Sequence, residues 1–562
     1  MLYVRYDLAR NQRQTKYSAY ISFQYNPYYV TKIKELPCRY WIPESKEWEI
    51  PSNMVYLLKE IDNNITELNT LPATESTLDN FNFKTKPYSY QKEGVQFGIN
   101  MNSWLLGDEQ GLGKTKQLID LAVWKKENEG LKHCLIICGI NNLKYNWIKE
   151  IGIHSYEDAC ILGKRFVKPN QEPSMADRLE DLQSCPDEFF WITNIETLRC
   201  HKEGRFYKSE IADLLNKYIA EGNLSLIVID EVHKAKNPNS AQGRGLLKLK
   251  GCPKIGLSGT LLVKNPLDLY VPLKLIEAIN MNFYSYSNRY TVKDNWGNPI
   301  GWKNMAEIAD LLKQYMLRRT KNILDLPPKI ENPILLEMSK EETKLYNAIV
   351  EEVRGECDKI ANPVQALSKI TRLRQICCHT GLVSTKVLKS TKFDYLREIL
   401  EEAKANNEKV LVFSMFRELI EMAVEEFKEY NPLHIWGQMK QIELEEQRDT
   451  FQNGEGFQVL FGVIQAAGTG ITLNQASTVV FLDLPWDRAT LEQAEDRAHR
   501  IGTRKTVMVH ILLMKDSYDE YLYNIVLSKG AMGKILVDGE SELKYKQLLR
   551  CVFKKKGEYD DE

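Results

Sequence analysis

Short, almost wholly apolar runs recur along the chain, and each gives way to a stretch with helical periodicity. The first series is HCLIICGI (133–140), LSLIVIDE (224–231) and KIGLSGT (254–260). The second is EKVLVFSMF (408–416), FQVLFGVI (457–464), STVVFLDL (477–484) and TVMVHILLM (506–514). A strand with one wet face alternates polar and apolar residues. A strand apolar throughout is covered on both faces, as parallel strands between helical layers are. Two such series predict two α/β lobes, and 562 residues are more than one hydrophobic core supports.

The rest of the chain divides around these series. Residues 1–62, rich in Tyr and Trp with short alternating stretches, predict a small α+β domain. Residues 63–86 are polar and aperiodic and read as a linker. The first lobe is expected over 87–270, a mainly helical region over 271–390, the second lobe over 391–540 and a polar tail over 541–562. No apolar run approaches the roughly 18 residues of a membrane helix, and the N-terminus lacks the apolar core of a secretory signal. Eleven cysteines without a C-x-x-C pair fit reduced thiols inside a cell. The expected place is cytoplasmic in a bacterial or viral setting and nuclear in a eukaryotic one. The adjacent Cys377, Cys378 and His379 lack a second pair at ligand spacing, which argues against zinc. The net charge of −1 means that any polyanion site is a local basic surface. The basic stretches are 1–34 and LRRTKNILDLPPKI (317–330).

Three segments carry chemistry. WLLGDEQGLGKT (104–115) ends like a phosphate-binding loop, although the strict G-x-x-x-x-G-K-[ST] pattern has glycine where Asp108 stands. An apolar strand, a glycine loop and a helix would aim backbone N–H groups and Lys114 at phosphates, with the Thr115 hydroxyl toward Mg²⁺. The alternative for this stretch alone is a glycine turn that merely joins strand to helix. LIVIDEVH (226–233) puts Asp230 and Glu231 at the end of a buried strand, where α/β sheets hold ligands. Asp230 is placed to hold Mg²⁺ and Glu231 to orient and deprotonate a water. In LEQAEDRAHRIG (491–502), Arg497 and Arg500 stand three apart on a helical pattern and so share a face. Such a pair can neutralise charge on a γ-phosphate.

Taken in order, these motifs resemble the Swi/Snf class of superfamily 2 helicase-type ATPases. DEQGLGKT is similar to that class's DEMGLGKT, in which Asp108 is the expected residue. YSYQKEGV (88–95) resembles its adenine-reading motif, with Gln91 as reader. DEVH differs from DEAH only at Val232. LSGTLLVKNPLDLY (257–270) resembles LSGTPLxNxPxELF with Leu261 in place of proline. VLVFSMF, AAGTGITLNQAS (466–477) and QAEDRAHRIG follow in order, with Thr503 where Gln is usual. The likeness spans about 85–530. YVTKIKELPCRYWIPESKEWEIPSNMVYLLKEI (29–61) resembles the HepA-related module that precedes the ATPase in annealing helicases.

The resemblance implies two RecA-like lobes that bind ATP and Mg²⁺ between them. Gln91, Asp108, Gly111, Leu112, Gly113, Lys114, Thr115, Gly470 and Gln493 would hold the nucleotide. Lys114, Asp230, Glu231, Arg497 and Arg500 would act in hydrolysis, and His233, Ser258 and Thr260 would couple it to movement. DNA contacts are expected from Asn141, Thr197, Ser414 and Thr469, with Arg39 and Trp41 in the N-terminal module, whereas Trp48 is expected in that module's core. The implied activity is ATP-driven translocation that remodels or reanneals duplex, forked or otherwise branched DNA. A monomer, with a single-strand-binding protein as a possible partner, is expected. Competing readings are a motor that displaces RNA polymerase or nucleosomes, an RNA helicase, and a catalytically dead DNA-binding scaffold.

Overall fold

The computed structural model describes residues 2–527, apart from 11–16, 37–38, scattered positions in 53–63, most of 70–80, and 142, 169–170, 205, 260–264, 295–298, 325, 357–362, 386–387, 438, 468–472 and 504. The chain divides into two compact units, Met1–Ile323 and Leu324–Glu562.

The first unit opens with β1 (Leu2–Leu8), β2 (Tyr17–Ser22), β3 (Tyr40–Ile42), β4 (Glu47–Pro51) and β5 (Ile65–Glu67), in the order β3-β4-β2-β1-β5. Along β1 the inward set Leu2, Val4 and Tyr6 is buried, as period-two alternation requires. These residues meet Ile21, Trp48 and Ile50 of the neighbouring strands and Ile33 of the helix Pro27–Glu35. That helix starts with Asn26 accepting from the Tyr28 N–H at 2.9 Å and Pro27 in its first turn.

The larger sheet of this unit contains β6 (Trp104–Leu106), β7 (His133–Cys138), β8 (Ala159–Ile161), β9 (Phe190–Asn194), β12 (Leu224–Asp230), β13 (Lys254–Leu257) and β16 (Met316–Leu317). Two hairpins, β10 (His201–Glu203) with β11 (Phe206–Lys208) and β14 (Thr291–Lys293) with β15 (Pro299–Trp302), stand outside it. The sheet is parallel throughout, in the order β16-β6-β13-β12-β7-β9-β8. Its central strands are buried on both faces: Leu135, Ile136 and Ile137 of β7 and Ile227 of β12 are fully inaccessible.

The second unit repeats the plan with β17 (Lys329–Leu336), β18 (Lys409–Ser414), β19 (Leu433–Ile435), β20 (Gln458–Val463), β21 (Thr478–Phe481) and β22 (Val507–Met514). All pair in parallel, in the order β17-β22-β21-β18-β20-β19. Within 271–390, expected as a mainly helical region, β16 completes the first sheet and β17 the second. Cys377 and Cys378 lie in the second core, where the thiols meet Ser517 Oγ and the Leu482 carbonyl, and burial pushes both thiols up. Among the described residues no helix is long and apolar enough to cross a membrane.

Candidate active site

β6 ends at Leu106, the loop 107–113 follows, and Lys114 opens the helix Lys114–Glu129. Gly111 and Gly113 take φ of +87° and +71°, the left-handed region that a side chain disfavours. Gly113 is fixed a second way, because a Cβ there would stand 2.4 Å from Gln91 Nε2. Gln91 is 3% exposed; its Oε1 accepts from the Tyr88 N–H at 3.0 Å and its Nε2 donates to the Leu112 carbonyl at 3.4 Å. The Tyr90 hydroxyl donates to the same carbonyl at 3.2 Å. Gln91 therefore clamps the loop, and Leu112 is its buried anchor. The Lys114 ammonium sits over the loop, donating to the carbonyls of Asp108 at 2.8 Å and Glu109 at 3.3 Å.

Asp108 was expected to help hold the nucleotide; its side chain is bonded within the protein. Its carboxylate is fully buried and turned inward onto Arg319, with Nη2 at 2.6 Å and Nε at 3.0 Å. Gln117 Nε2 and the Arg319 N–H complete its bonding, and the Arg319 guanidinium also reaches Gln117 Oε1 and the Tyr90 carbonyl. The basic stretch 317–330 was one candidate for a polyanion surface, with a solvated face as the alternative; at Arg319 it is instead the internal brace of the glycine loop. The backbone joins there too: Gly107 N–H donates to Leu317 and Glu109 N–H to Arg319.

Removing one partner of a buried ion pair strands the other charge. Arg319→Ala is expected to destabilise the protein by about 3 kcal/mol and to raise the ATP KM. Adding Asp108→Asn should recover part of the loss in urea denaturation, and strict additivity of the two variants would refute the coupling.

The acidic end of β12 lies against this loop. Asp230, 9% exposed, accepts from the Glu231 N–H through Oδ1 and from the Trp147 indole through Oδ2, both at 2.9 Å. Burial, and then the neighbouring Glu231 charge, push its carboxyl up to about 6, while Lys114 works in the opposite direction. Glu231 adopts φ +51°, a strained conformation for a side-chain-bearing residue. Gly139 makes room for it, since a Cβ there would stand 2.8 Å from the Glu231 carbonyl. His233 Nδ1 lies 3.1 Å from Glu231 Oε2 and 2.8 Å from the buried Ser258 Oγ, so one imidazole joins the acid to the end of β13. The next residue, Gly259, closes on the loop: a Cβ there would stand 2.7 Å from Gln110 Cγ and 3.3 Å from Lys114 Nζ. Thr260 lies outside the described residues.

The raised Asp230 value carries a pH signature. Above about 6 the group is ionised in both folded and unfolded chains, so its burial opposes folding; below about 4 it is protonated in both and the penalty disappears. Asp230→Asn is therefore expected to raise the melting temperature of the nucleotide-free protein at pH 8, by about 2 kcal/mol in stability, with the gain vanishing near pH 4. An equal gain at both pH values would refute the charge argument.

At the ends of β7 and β9 the side chains form one network. Thr193 Oγ donates to Thr197 Oγ at 2.8 Å, Thr197 to Asn194 Oδ1 at 2.7 Å, and Asn194 Nδ2 to Asn141 Oδ1 at 3.1 Å. Thr197 is 1% exposed, so it braces the loop where a direct backbone contact was expected, and Asn141 is the half-buried member. Ser414 is likewise fully buried: its Oγ accepts from the Phe416 N–H, while Asp483 holds the Met415 N–H at 2.9 Å. Arg374, missed in the sequence, fixes Asp483 at 3.0 Å and stacks over Trp486. In the N-terminal module Arg39 is exposed with one bond to the Leu36 carbonyl, and Trp41 is 42% exposed, packed on the buried Trp48.

In the second unit the helix Arg488–Glu495 carries the half-buried Gln493 and stops before either arginine, so the expectation of two arginines on one helix face is corrected. Tight turns follow, with Arg497 N–H donating to Ala494 and Ala498 N–H to Glu495. His499 Nε2 is 2.8 Å from the Pro327 carbonyl. Arg497 is buried, with its Nε on the Gln493 carbonyl. Arg500 is half-buried on a turn that Thr503 closes, accepting from the Arg500 N–H at 3.1 Å and reaching the Ala498 carbonyl at 2.6 Å. Thr469 and Gly470 lie outside the described residues.

The SNF2-related domain matches residues 90–382, just over half of the chain, and the helicase conserved C-terminal domain matches 391–502. The DNA annealing helicase and endonuclease ZRANB3 of Mus musculus is 27% identical over 82% of this chain and 41% of its own length. The SWI/SNF-related matrix-associated actin-dependent regulator of chromatin subfamily A-like protein 1 homolog of Caenorhabditis elegans is 26% identical over 93% of this chain and 75% of its own. The chain thus spans about two fifths of the ZRANB3 length. Among solved structures, the Sulfolobus solfataricus SWI2/SNF2 ATPase core in complex with dsDNA is 23% identical over 84% of this chain and 99% of its own, with a TM-score of 0.36. With the SNF2-related domain covering more than half of the chain and the helicase conserved C-terminal domain following it, the chain belongs to the SNF2-related family and is an ATPase of helicase superfamily 2.

Proposed function

We propose that the chain is a DNA translocase that uses ATP hydrolysis to remodel or reanneal branched or duplex DNA. The observation that carries it is the line of groups that starts at Lys114, bonded to the glycine loop and acting electrostatically on Asp230, and runs on through the adjacent Glu231 and His233 to Ser258. A change at the nucleotide is felt at Glu231, and from there at the end of β13. Lys114 binds the outer phosphates, Glu231 orients and deprotonates the attacking water, and Arg497 and Arg500 neutralise charge as the γ-phosphate departs.

Thr115 and Asp230 fit a magnesium ion carried with the nucleotide, since the buried Asp230 oxygens accept from neutral N–H donors and gain from a cation. When bound, the ion supplies charge neutralisation at the phosphate oxygens. The Asn141–Asn194–Thr197 and Ser414–Asp483 networks hold the loops that meet the DNA backbone, which is how a motor can ignore sequence.

Annealing is favoured over displacement of other proteins by the N-terminal sheet, with Trp41 and Arg39 at its exposed edge. The test is ATPase stimulation by forked DNA, blunt duplex, single-stranded DNA and RNA. Forked and duplex DNA are expected to stimulate and RNA to fail, with affinity falling as salt rises. Removing residues 1–75 should abolish the advantage of the fork and keep duplex stimulation. Equal stimulation by RNA would overturn the reading.

A further inference from the structure

The β10–β11 hairpin grows directly out of the turn that carries Thr197 and stands free of the large sheet. Its register pairs His201 with Lys208, Lys202 with Tyr207, and Glu203 with Phe206. Opposed residues share a face, so Lys202 and Tyr207 lie on one side and Phe206, Lys208, His201 and Glu203 on the other.

The first side is anchored. The Arg244 guanidinium lies 3.9 Å from the Tyr207 ring centroid, and Arg244 Nε is held by the Asn239 carbonyl at 3.0 Å. Cys200 N–H donates to the Ala241 carbonyl at 3.1 Å, which pins the hairpin's base to the helix Ala241–Lys248. The second side faces solvent. Phe206 is 76% exposed, beside Lys208, which pairs with Glu203 at 2.6 Å.

A phenylalanine so exposed on an anchored two-stranded ribbon has no packing role. Its setting is basic: RCHKEGRFYK (199–208) holds four Lys or Arg against one acid. On the anchored side of the hairpin, a cavity of about 460 Å³ is lined by Tyr207, Asp213, Asn216, Arg244, Lys248 and Lys250, with Lys248 Nζ 3.7 Å from Asp213, so three cations there face one acid. We propose that this hairpin is a binding platform for single-stranded DNA, with Phe206 stacking on an unpaired base while the cations beside it hold the adjoining phosphates. Paired bases bury their faces against one another, so a protruding ring can stack only where a strand has opened; duplex phosphates would call for the cations alone. The platform rests on the DNA-motor reading above and adds to it a grip on a separated strand.

The test compares full-length wild type with Phe206→Ala, Phe206→Leu and Phe206→Trp, reading the anisotropy of a labelled 20-nucleotide single strand and of a blunt duplex. Phe206→Ala and Phe206→Leu are expected to bind the single strand about tenfold more weakly, and Phe206→Trp at least as tightly as wild type. Duplex affinity and the ATPase rate without DNA should stay unchanged in all three, which also shows that each variant is folded. Wild-type binding of both DNAs with no loss in Phe206→Ala overturns the platform alone and leaves the hairpin to a protein partner. Equal losses for single strand and duplex overturn the stacking role. If wild type binds neither DNA, the motor reading falls and the platform with it.

Discussion

Lys114→Ala is expected to stop ATP turnover while leaving DNA binding measurable. The ammonium sits 2.8 Å from the Asp108 carbonyl, on the loop whose N–H groups and helix start are proposed to cradle the phosphates. Alanine removes a fixed positive charge where negative charge must gather, an effect of about 10³-fold or more in kcat. The fold should survive, because the loop is held by Arg319, Gln91 and Tyr90, none of which needs the ammonium. The measurement is steady-state ATPase with and without DNA beside anisotropy on the same preparation. An unchanged ATPase rate would remove the loop from the active site.

What could be read in the sequence was what local pattern encodes. LSLIVIDE is apolar and then doubly acidic, and it became a buried strand ending in Asp230 and Glu231. The two apolar series became two parallel sheets for the same reason. What escaped was contact across long stretches of chain. Arg319 meets Asp108 across 211 residues, and Trp147 meets Asp230 across 83, and no periodicity reports either. Thr197 and Ser414 sit in motifs that suggest outward contact, yet side-chain direction at a strand end depends on the neighbouring loop, and both hydroxyls turned inward. The arginine spacing misled because i, i+3 neighbours share a face only within a helix, and that helix ends at Glu495. Thr503, read as a departure from the usual glutamine, proved to close the turn that carries Arg500.

Arg500→Ala is expected to lower kcat by about 10³-fold or more with little change in ATP KM, the mark of an interaction made only as the γ-phosphate departs. The two arginines are not equivalent. Arg497 is buried against its own helix end, its Nε on the Gln493 carbonyl, so Arg497→Ala should disturb stability along with rate. Arg500 stands on the far side of a tight turn whose backbone is fixed without its side chain, by Thr503 and by the Asn474 bond to the Ile501 carbonyl. Truncating it should therefore remove charge and spare the fold. Arg500→Lys separates charge from shape: a lysine keeps the positive charge but loses the planar fork that grips two phosphate oxygens, so it should recover only a small part of the rate. Steady-state kinetics at saturating DNA, with melting temperatures as the folding control, decide it. A loss shared equally between kcat and ATP affinity would mean that Arg500 binds the ground state, and its place in the departure of the phosphate would then belong to Arg497.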